Sequence, residues 1–477
     1  MDGDVRFRET HELNHPAQGA AVSTGSGDVE PTQNPIREED EEEPADDLKP
    51  DLDAANKFTQ GTGHVPAFIK AITNTLPPKW VNLTVRFFTA VLLIGTFSLL
   101  VYLGPLALAP LVLFLQMACF HEIITIGHIV YRSHDLPWFR CLSWYFLFAS
   151  NYFLFGESLI TRFRLLLAKE DFLQVLVTHH HFLSFSLYSG GIVLFVLGLV
   201  KKHYIKQFLL FGWTHVTLLI IVCSSRFIIN NIFNGIIWFL LPVSLVICND
   251  IMAHVFGFFF GKTPLIKLSP KKTWEGFIGG GLATVIFGLV FSLVLIRYDY
   301  FVCPLEWDDT ADRLVAECIR NPVFIPRTYN VSKWLFMIPF RQFTWYPFIW
   351  HVPAIATYCF VVGLFGGFFA SGFKRAFKIK DFGDVFSGHG GVIDRFDCQF
   401  LVGVFVSIYY NSFVRVYSPA GMLSAIYVLP AQEQLSFYRL LTEGLHQRGL
   451  LPTQLSARVH ELIGQVDQPA SKPSIVR

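Results

Sequence analysis

The sequence predicts an all-α fold: a polytopic helical membrane protein with about nine transmembrane helices behind a disordered, acidic N-terminal tail. Three observations carry that expectation. Hydrophobic residues make up 52% of the chain, with 49 Phe, while charged residues reach only 16%, less than a soluble domain of this size uses. The apolar residues are gathered in discrete blocks of spanning length. Charge is polarised: residues 1–53 hold 16 Asp and Glu against 4 Lys and Arg, so the overall +1 hides a tail of −12 and a body of +13.

Taken in order, the first ~80 residues are rich in Pro, Gly, Ser and acid and end at Pro77-Pro78. The run from Glu38 to Asp53 reads as solvated tail, with a partner-binding tail as the alternative. No apolar stretch lies within the first ~30 residues, so a cleaved signal peptide is not expected. Nine apolar blocks follow: Phe87–Leu103, Leu106–Ile126, Phe139–Phe155, Phe182–Val200, Phe208–Cys223, Ile232–Cys248, Phe277–Ile296, Phe348–Ala370 and Phe400–Tyr417. Ile251–Gly261 is too short to span and reads as a re-entrant piece or an extension of the sixth helix. His179-His180-His181 reads as a polar loop. Beyond the last block, Gln432–Leu445 and Gln454–Val466 have the spacing of amphipathic helices. The domain organisation expected is a tail over 1–78, a membrane domain over 79–418 and a helical C-terminal tail over 419–477.

The loop 297–346 holds Cys303, Cys318 and the sequon Asn330-Val-Ser332, a combination suited to an oxidising lumen. The opposite ends of the flanking helices are then cytosolic, and Lys201-Lys202-His203 falls on that side, as the positive-inside rule prefers. The other six cysteines sit in or beside apolar blocks, and no CxxC pair suggests structural zinc.

Two polar stretches belong to the cytosolic side. Ser371 to Asp397 packs five basic residues, four carboxylates, one His and five Gly between two apolar blocks. Charge at a membrane boundary is expensive and is kept for a task. Cations and glycine backbone suit phosphates, and carboxylates suit a hard divalent metal. Asp394 and Asp397 are three apart and share one helix face. Lys374, Arg375 and Lys378 form a clamp, and Gly388-His389-Gly390-Gly391 reads as an anion nest. The other stretch runs from Asn249-Asp250 to Ser269-Pro270-Lys271-Lys272-Thr273-Trp274-Glu275-Gly276.

The string Ser371-xx-Lys374-Arg375-xxxx-Lys380-Asp381-xxxxxx-Gly388-His389-Gly390-Gly391-xx-Asp394-Arg395-x-Asp397 resembles the signature of CDP-diacylglycerol synthases (phosphatidate cytidylyltransferases). The stretch around Asp250 and Lys271 is similar to that family too. The likeness covers roughly residues 75–450 and is strongest to the animal, endoplasmic-reticulum branch. It implies CMP transfer from CTP to phosphatidic acid with Mg2+, in a multi-pass endoplasmic-reticulum membrane protein whose active site faces the cytosol.

On that resemblance the catalytic residues are Asp394, Asp397, Asp381, Lys380 and His389. Substrate phosphates meet Ser371, Lys374, Arg375, Gly388, Gly390, Gly391, Arg395, Lys271, Lys272 and Thr273, and the metal ligands are Asp394, Asp397 and Asp250. Partners implied are CTP, phosphatidic acid and membrane lipids, with a homodimer left open and no nucleic acid. Bacterial relatives carry Asp where this chain has Gly367, which puts a second metal in doubt, and Ser387 stands where Pro is common. The alternative function is a CTP-dependent membrane lipid kinase resembling dolichol kinase, and a transporter is disfavoured because ionisable groups crowd at one face.

Overall fold

Each apolar block folds mainly as helix. The computed structural model describes residues 78–466 apart from 132–136, 169–174, 177, 268, 306, 309–312, 315–319, 331–341, 384, 386–389, 416–422, 424–425 and 428. The acidic tail, Cys318, Ser387, Gly388 and His389 therefore lie outside the described residues. The first six helices are α1 (Pro78–Leu103), α2 (Pro105–Val130), α3 (Pro137–Ala168), α4 (His180–Leu197), α5 (Tyr204–Phe233) and α6 (Ile237–Phe260). A hairpin of β1 (Pro264–Ile266) and β2 (Ser269–Thr273) leads into α7 (Trp274–Leu295). After a mixed loop come α8 (Phe348–Tyr358), a π turn Cys359–Gly363, α9 (Leu364–Ala376) and α10 (Ile393–Tyr409), which ends in a second π turn, Tyr410–Val414. The pair α11 (Ala431–Gln447) and α12 (Thr453–Val466) closes the described chain.

Proline starts α1, α2 and α3, where its missing N–H costs nothing. Seven spans are long and apolar enough to cross a membrane among the described residues. The helices α3 and α10 stand outside that set, α10 having only 17 α-helical residues. Within the described residues the greater part of each expected block thus falls on a helix, and seven meet the spanning criterion. Of the two readings of Ile251–Gly261, the extension of the sixth helix holds: α6 runs unbroken to Phe260. The reading of His179–His181 as a polar loop is corrected. His180 begins α4, is buried, and its Nε2 lies 2.8 Å from the Tyr152 carbonyl oxygen.

Two cores meet on α10. One gathers Phe120, Ile221, Ile232 and Phe382 with Ile393 and Phe400; the other gathers Trp238, Leu245, Phe348 and Val352 with Cys398 and Val402. Outward-facing Phe114, Phe185, Leu219, Phe258 and Ile286 stay exposed, as expected of side chains that face lipid.

Helices α6 and α7 pack backbone to backbone at Gly280. A Cβ on Gly280 would fall 2.9 Å from the Cα and N of Ala253, so only hydrogen fits there. Gly280→Val is expected to force these backbones apart and cost about 3 kcal/mol or more. A fall of several degrees in thermal midpoint, followed by size-exclusion chromatography after heating, would report it; an unchanged midpoint would refute the contact.

The bundle ends differ in chemistry. At one, Tyr300 donates its hydroxyl to the Val101 and Tyr102 carbonyls at 2.6 and 2.9 Å, and Leu305 N–H donates to the Phe233 carbonyl at 3.0 Å. Asn321 Nδ2 donates to the Val414 carbonyl at 3.5 Å. The ends of α1, α5 and α10 are thereby tied to the loop after α7. Cys303 of that loop is disulfide-bonded, whereas Cys119, Cys141, Cys223, Cys248, Cys359 and Cys398 are free. The opposite end carries the β1–β2 hairpin and the chain between α9 and α10, where the polar residues of the signature lie.

Candidate active site

The geometry of this end is set by how α9 stops. Lys374 and Arg375 occupy its last turn, where cations complement the helix dipole. Lys378 then turns the chain with φ 54°, the single non-glycine residue of positive φ among those described. Its N–H donates to the Arg375 carbonyl and that of Ile379 to the Lys374 carbonyl, a left-handed helix stop. Phe373, Phe377 and Phe382 pack in a chain of rings reaching Trp213 of α5, which fixes the turn against the bundle.

Asp394, in the first turn of α10, is the hub. Lys374 Nζ lies 2.6 Å from its Oδ1, and the N–H groups of Phe382 and Gly391 donate to its Oδ2 at 2.9 and 3.2 Å. Gly390 has φ 84°, and a Cβ there would come within 3.4 Å of both Asp381 and Asp394, so these carboxylates flank the glycine turn. The Gly391 N–H, expected to point at an anion, is spent on Asp394. Lys374 extends over the Phe382 ring at 5.6 Å.

A residue that sequence reasoning missed holds the other side of this turn. Glu122 of α2 is buried, and it accepts the Val392 N–H at 2.8 Å and the Ile393 N–H at 3.0 Å, one on each oxygen. These are free donors of a helix start, so Glu122 caps α10 from a distant span and places negative charge at the positive end of its dipole. The available signal was its cost: a lone carboxylate within an apolar block needs a partner.

Asp397 lies one turn on. The Cys398 N–H donates to its Oδ1 at 2.7 Å, and its Oδ2 faces Gly367 of α9. A Cβ on Gly367 would sit 3.3 Å from Cys398 Sγ, 3.7 Å from Asp397 Oδ2 and 3.8 Å from Lys272 Nζ. Lys272 of β2, over the Phe368 ring at 5.1 Å, thus brings an ammonium group beside the position of the bacterial carboxylate. Asp250 of α6 faces the same place, within electrostatic reach of Lys272, Asp397 and Arg395. Gly367→Ala is expected to retain activity within about twofold, because the added methyl meets neighbours at near-ordinary contact distances; a tenfold loss in turnover would show that the gap is needed.

The remaining expected residues fall as follows. Arg375, Lys378, Lys380 and Arg395 are exposed around the site. Ser371 donates back to the Gly367 carbonyl at 2.7 Å, inside its own helix. Thr273 caps α7 by accepting the Gly276 N–H at 3.2 Å, which gives its hydroxyl a structural task. Glu275 anchors the hairpin, accepting the Lys262 and Thr263 N–H groups and the Thr263 hydroxyl, the last at 2.8 Å. Lys271 lies in β2 with its side chain outside the described part.

Among the described residues no three His, Cys, Asp or Glu side chains gather closely enough to hold a metal unaided. Lys374 and two backbone donors occupy Asp394, and Asp381 lies against the glycine turn, whereas Asp250 and Asp397 lie together beside Lys272. Magnesium commonly takes one or two carboxylates and completes its shell with substrate phosphates and water, so this donor set fits that ion.

Helices that gather a cluster of cations and carboxylates at one end of a bundle make an arrangement suited to phosphate chemistry. The comparisons agree: the model of the cytidylyltransferase family matches residues 84–413, and the chain belongs to that family. Phosphatidate cytidylyltransferase 1 of Mus musculus is 47% identical over 446 residues, 92% of this chain and 95% of the relative. Phosphatidate cytidylyltransferase 2 of Homo sapiens is 49% identical over 387 residues, 81% and 87% of the two chains. The phosphatidate cytidylyltransferase of Caenorhabditis elegans is 46% identical over 464 residues, 94% and 98%.

Proposed function

We infer that this protein is a nucleotidyltransferase that moves CMP from CTP to phosphatidic acid, giving CDP-diacylglycerol and pyrophosphate. The observation that carries the reading is the convergence of Asp250, Lys272, Lys374, Asp394 and Asp397 from four separate segments at one end of the bundle, in a chain whose relatives bear that enzyme's name.

A phosphatidate oxygen forms a new bond to the α-phosphorus of CTP, the bond to the β-phosphate oxygen breaks, and pyrophosphate leaves in line. The chain needs to supply position and positive charge rather than covalent chemistry. Arg375, Lys378 and Lys380, exposed beside the turn, receive the triphosphate, and Lys272 with Arg395 receives the acceptor phosphate. Lys374 is held at the mouth by Asp394. Magnesium, when bound, would be held by Asp250 and Asp397 with Asp394 alongside, and would neutralise phosphate charge. Asp381 flanks the glycine turn beside Asp394, and Lys380 is exposed next to it.

The disulfide at Cys303 supports a lumenal placement of the loop after α7, and hence a cytosolic site in the endoplasmic-reticulum membrane. Nothing observed favours transfer of the γ-phosphate to a lipid alcohol. The deciding assay follows pyrophosphate release from CTP by purified protein with phosphatidic acid, with a polyprenol, and with neither. Release only with phosphatidic acid is the expected result; CDP formation with polyprenol would replace the reading with a kinase.

A further inference from the structure

A second groove lies away from the carboxylates, between the start of α3, the end of α4 and the start of α5. It encloses about 480 Å³ and is lined by Phe139, Leu142, Tyr145, Leu194 and Phe195 among other apolar groups. That volume is in the range of sites that take small organic ligands, roughly 300–1,000 Å³. It is open on its outer side, where Trp138, Leu194 and Leu197 are 80%, 50% and 77% exposed.

The rim of the groove is basic and fixed in place. Val200, one of its lining residues, is followed directly by the 3₁₀ turn Lys201–His203, in which both lysines are exposed. Gln207, buried in the first turns of α5, clamps the approach to this turn. Its Oε1 accepts the Val200 N–H at 2.9 Å and its Nε2 donates to the Gly198 carbonyl at 2.9 Å. The turn that carries the two lysines is therefore held in place directly after a lining residue of an apolar slot. The turn lies at the same end of the bundle as the carboxylate site, since α5 leaves it and reaches the opposite loop at Phe233. From Trp138 to Tyr145 the slot runs about 10 Å along α3. Trp138 lies at the start of α3 beside this basic level, as aromatic residues do at a membrane interface.

An apolar slot descending from a pair of cations at headgroup level has the chemistry of one ligand class. We propose that this groove is an accessory site for an anionic phospholipid, with one acyl chain between α3, α4 and α5 and its phosphate at Lys201 and Lys202. The site is separate from the catalytic one and does not depend on which reaction the enzyme performs. The phosphate could belong to a diester, as in phosphatidylglycerol, or to the monoester phosphatidate, and the two are told apart by presenting them separately.

The test is native mass spectrometry of the full chain released from nanodiscs holding phosphatidylcholine mixed with phosphatidylglycerol or, in a second arm, with phosphatidate. The expected result is retention of one anionic lipid over phosphatidylcholine, by about fivefold for each lysine beside the headgroup. Lys201→Gln with Lys202→Gln is expected to abolish that preference while pyrophosphate release persists. Leu194→Trp, which fills the slot from its open side, is expected to lower retention of the same lipid with both lysines intact. Preference in one arm alone identifies the headgroup and supports the site. Equal retention of all lipids, or a preference that survives both sets of substitutions, overturns it.

Discussion

Asp397→Asn is expected to abolish CMP transfer, by about a thousandfold or more in kcat, while leaving the protein folded. The substitution is nearly isosteric, and an amide oxygen can still accept the Cys398 N–H that meets Oδ1 at 2.7 Å. What disappears is a charge that faces Asp250 and lies beside Lys272 Nζ at Gly367. Without it Asp250 is left alone beside Lys272, and the site loses half of the carboxylate pair that fits magnesium. The thermal midpoint should stay within a degree or two of wild type. Asp394→Asn should be equally inactive but less stable, because its new NH2 group would confront Lys374 or one of two backbone donors. Activity near normal in Asp397→Asn would remove this residue from the metal assignment.

The second large effect is expected at Glu122. In Glu122→Ala the N–H groups of Val392 and Ile393 lose both acceptors in a buried setting, at roughly 1–3 kcal/mol each. The Gly390–Gly391 turn that packs on this carboxylate is then unsupported, and Asp394 with it. A displacement of about 1 Å at a reacting site costs on the order of a hundredfold, so kcat should fall by that much or more. Glu122→Gln keeps one acceptor oxygen and should recover part of both stability and rate. A lower thermal midpoint with unchanged kcat in Glu122→Ala would confine this residue to holding the fold.

Much of this architecture is legible in the sequence because it depends on local composition. An apolar block of spanning length has few choices besides a helix, so the greater part of each of the nine blocks falls on a helix, and the two C-terminal helices begin and end within two residues of their predicted bounds. Residue types alone point to the charged run after Ser371 as the place of chemistry. What the sequence hides is how donors and acceptors pair across the bundle. The Gly391 N–H reads as open to a phosphate, yet Asp394 takes it. Thr273 reads as a phosphate ligand, yet it caps α7. Glu122 carries no motif, since its partners belong to another span and its meaning exists only once α2 and α10 touch.

That contact has a consequence for how the enzyme is made. Spans enter the membrane in order of synthesis, and Glu122 is inserted 270 residues ahead of the helix start it caps. Through most of translation the bundle therefore carries a carboxylate at membrane depth whose partners have not emerged from the ribosome. Asp250 and Lys272 wait likewise for Asp397. The nascent protein is expected to pass through insertion with no partial activity, and with an acidic group open to recognition by membrane quality control. Delivery of α10 closes both halves at once, so chains stopped before it should be degraded rather than retained as weak enzymes.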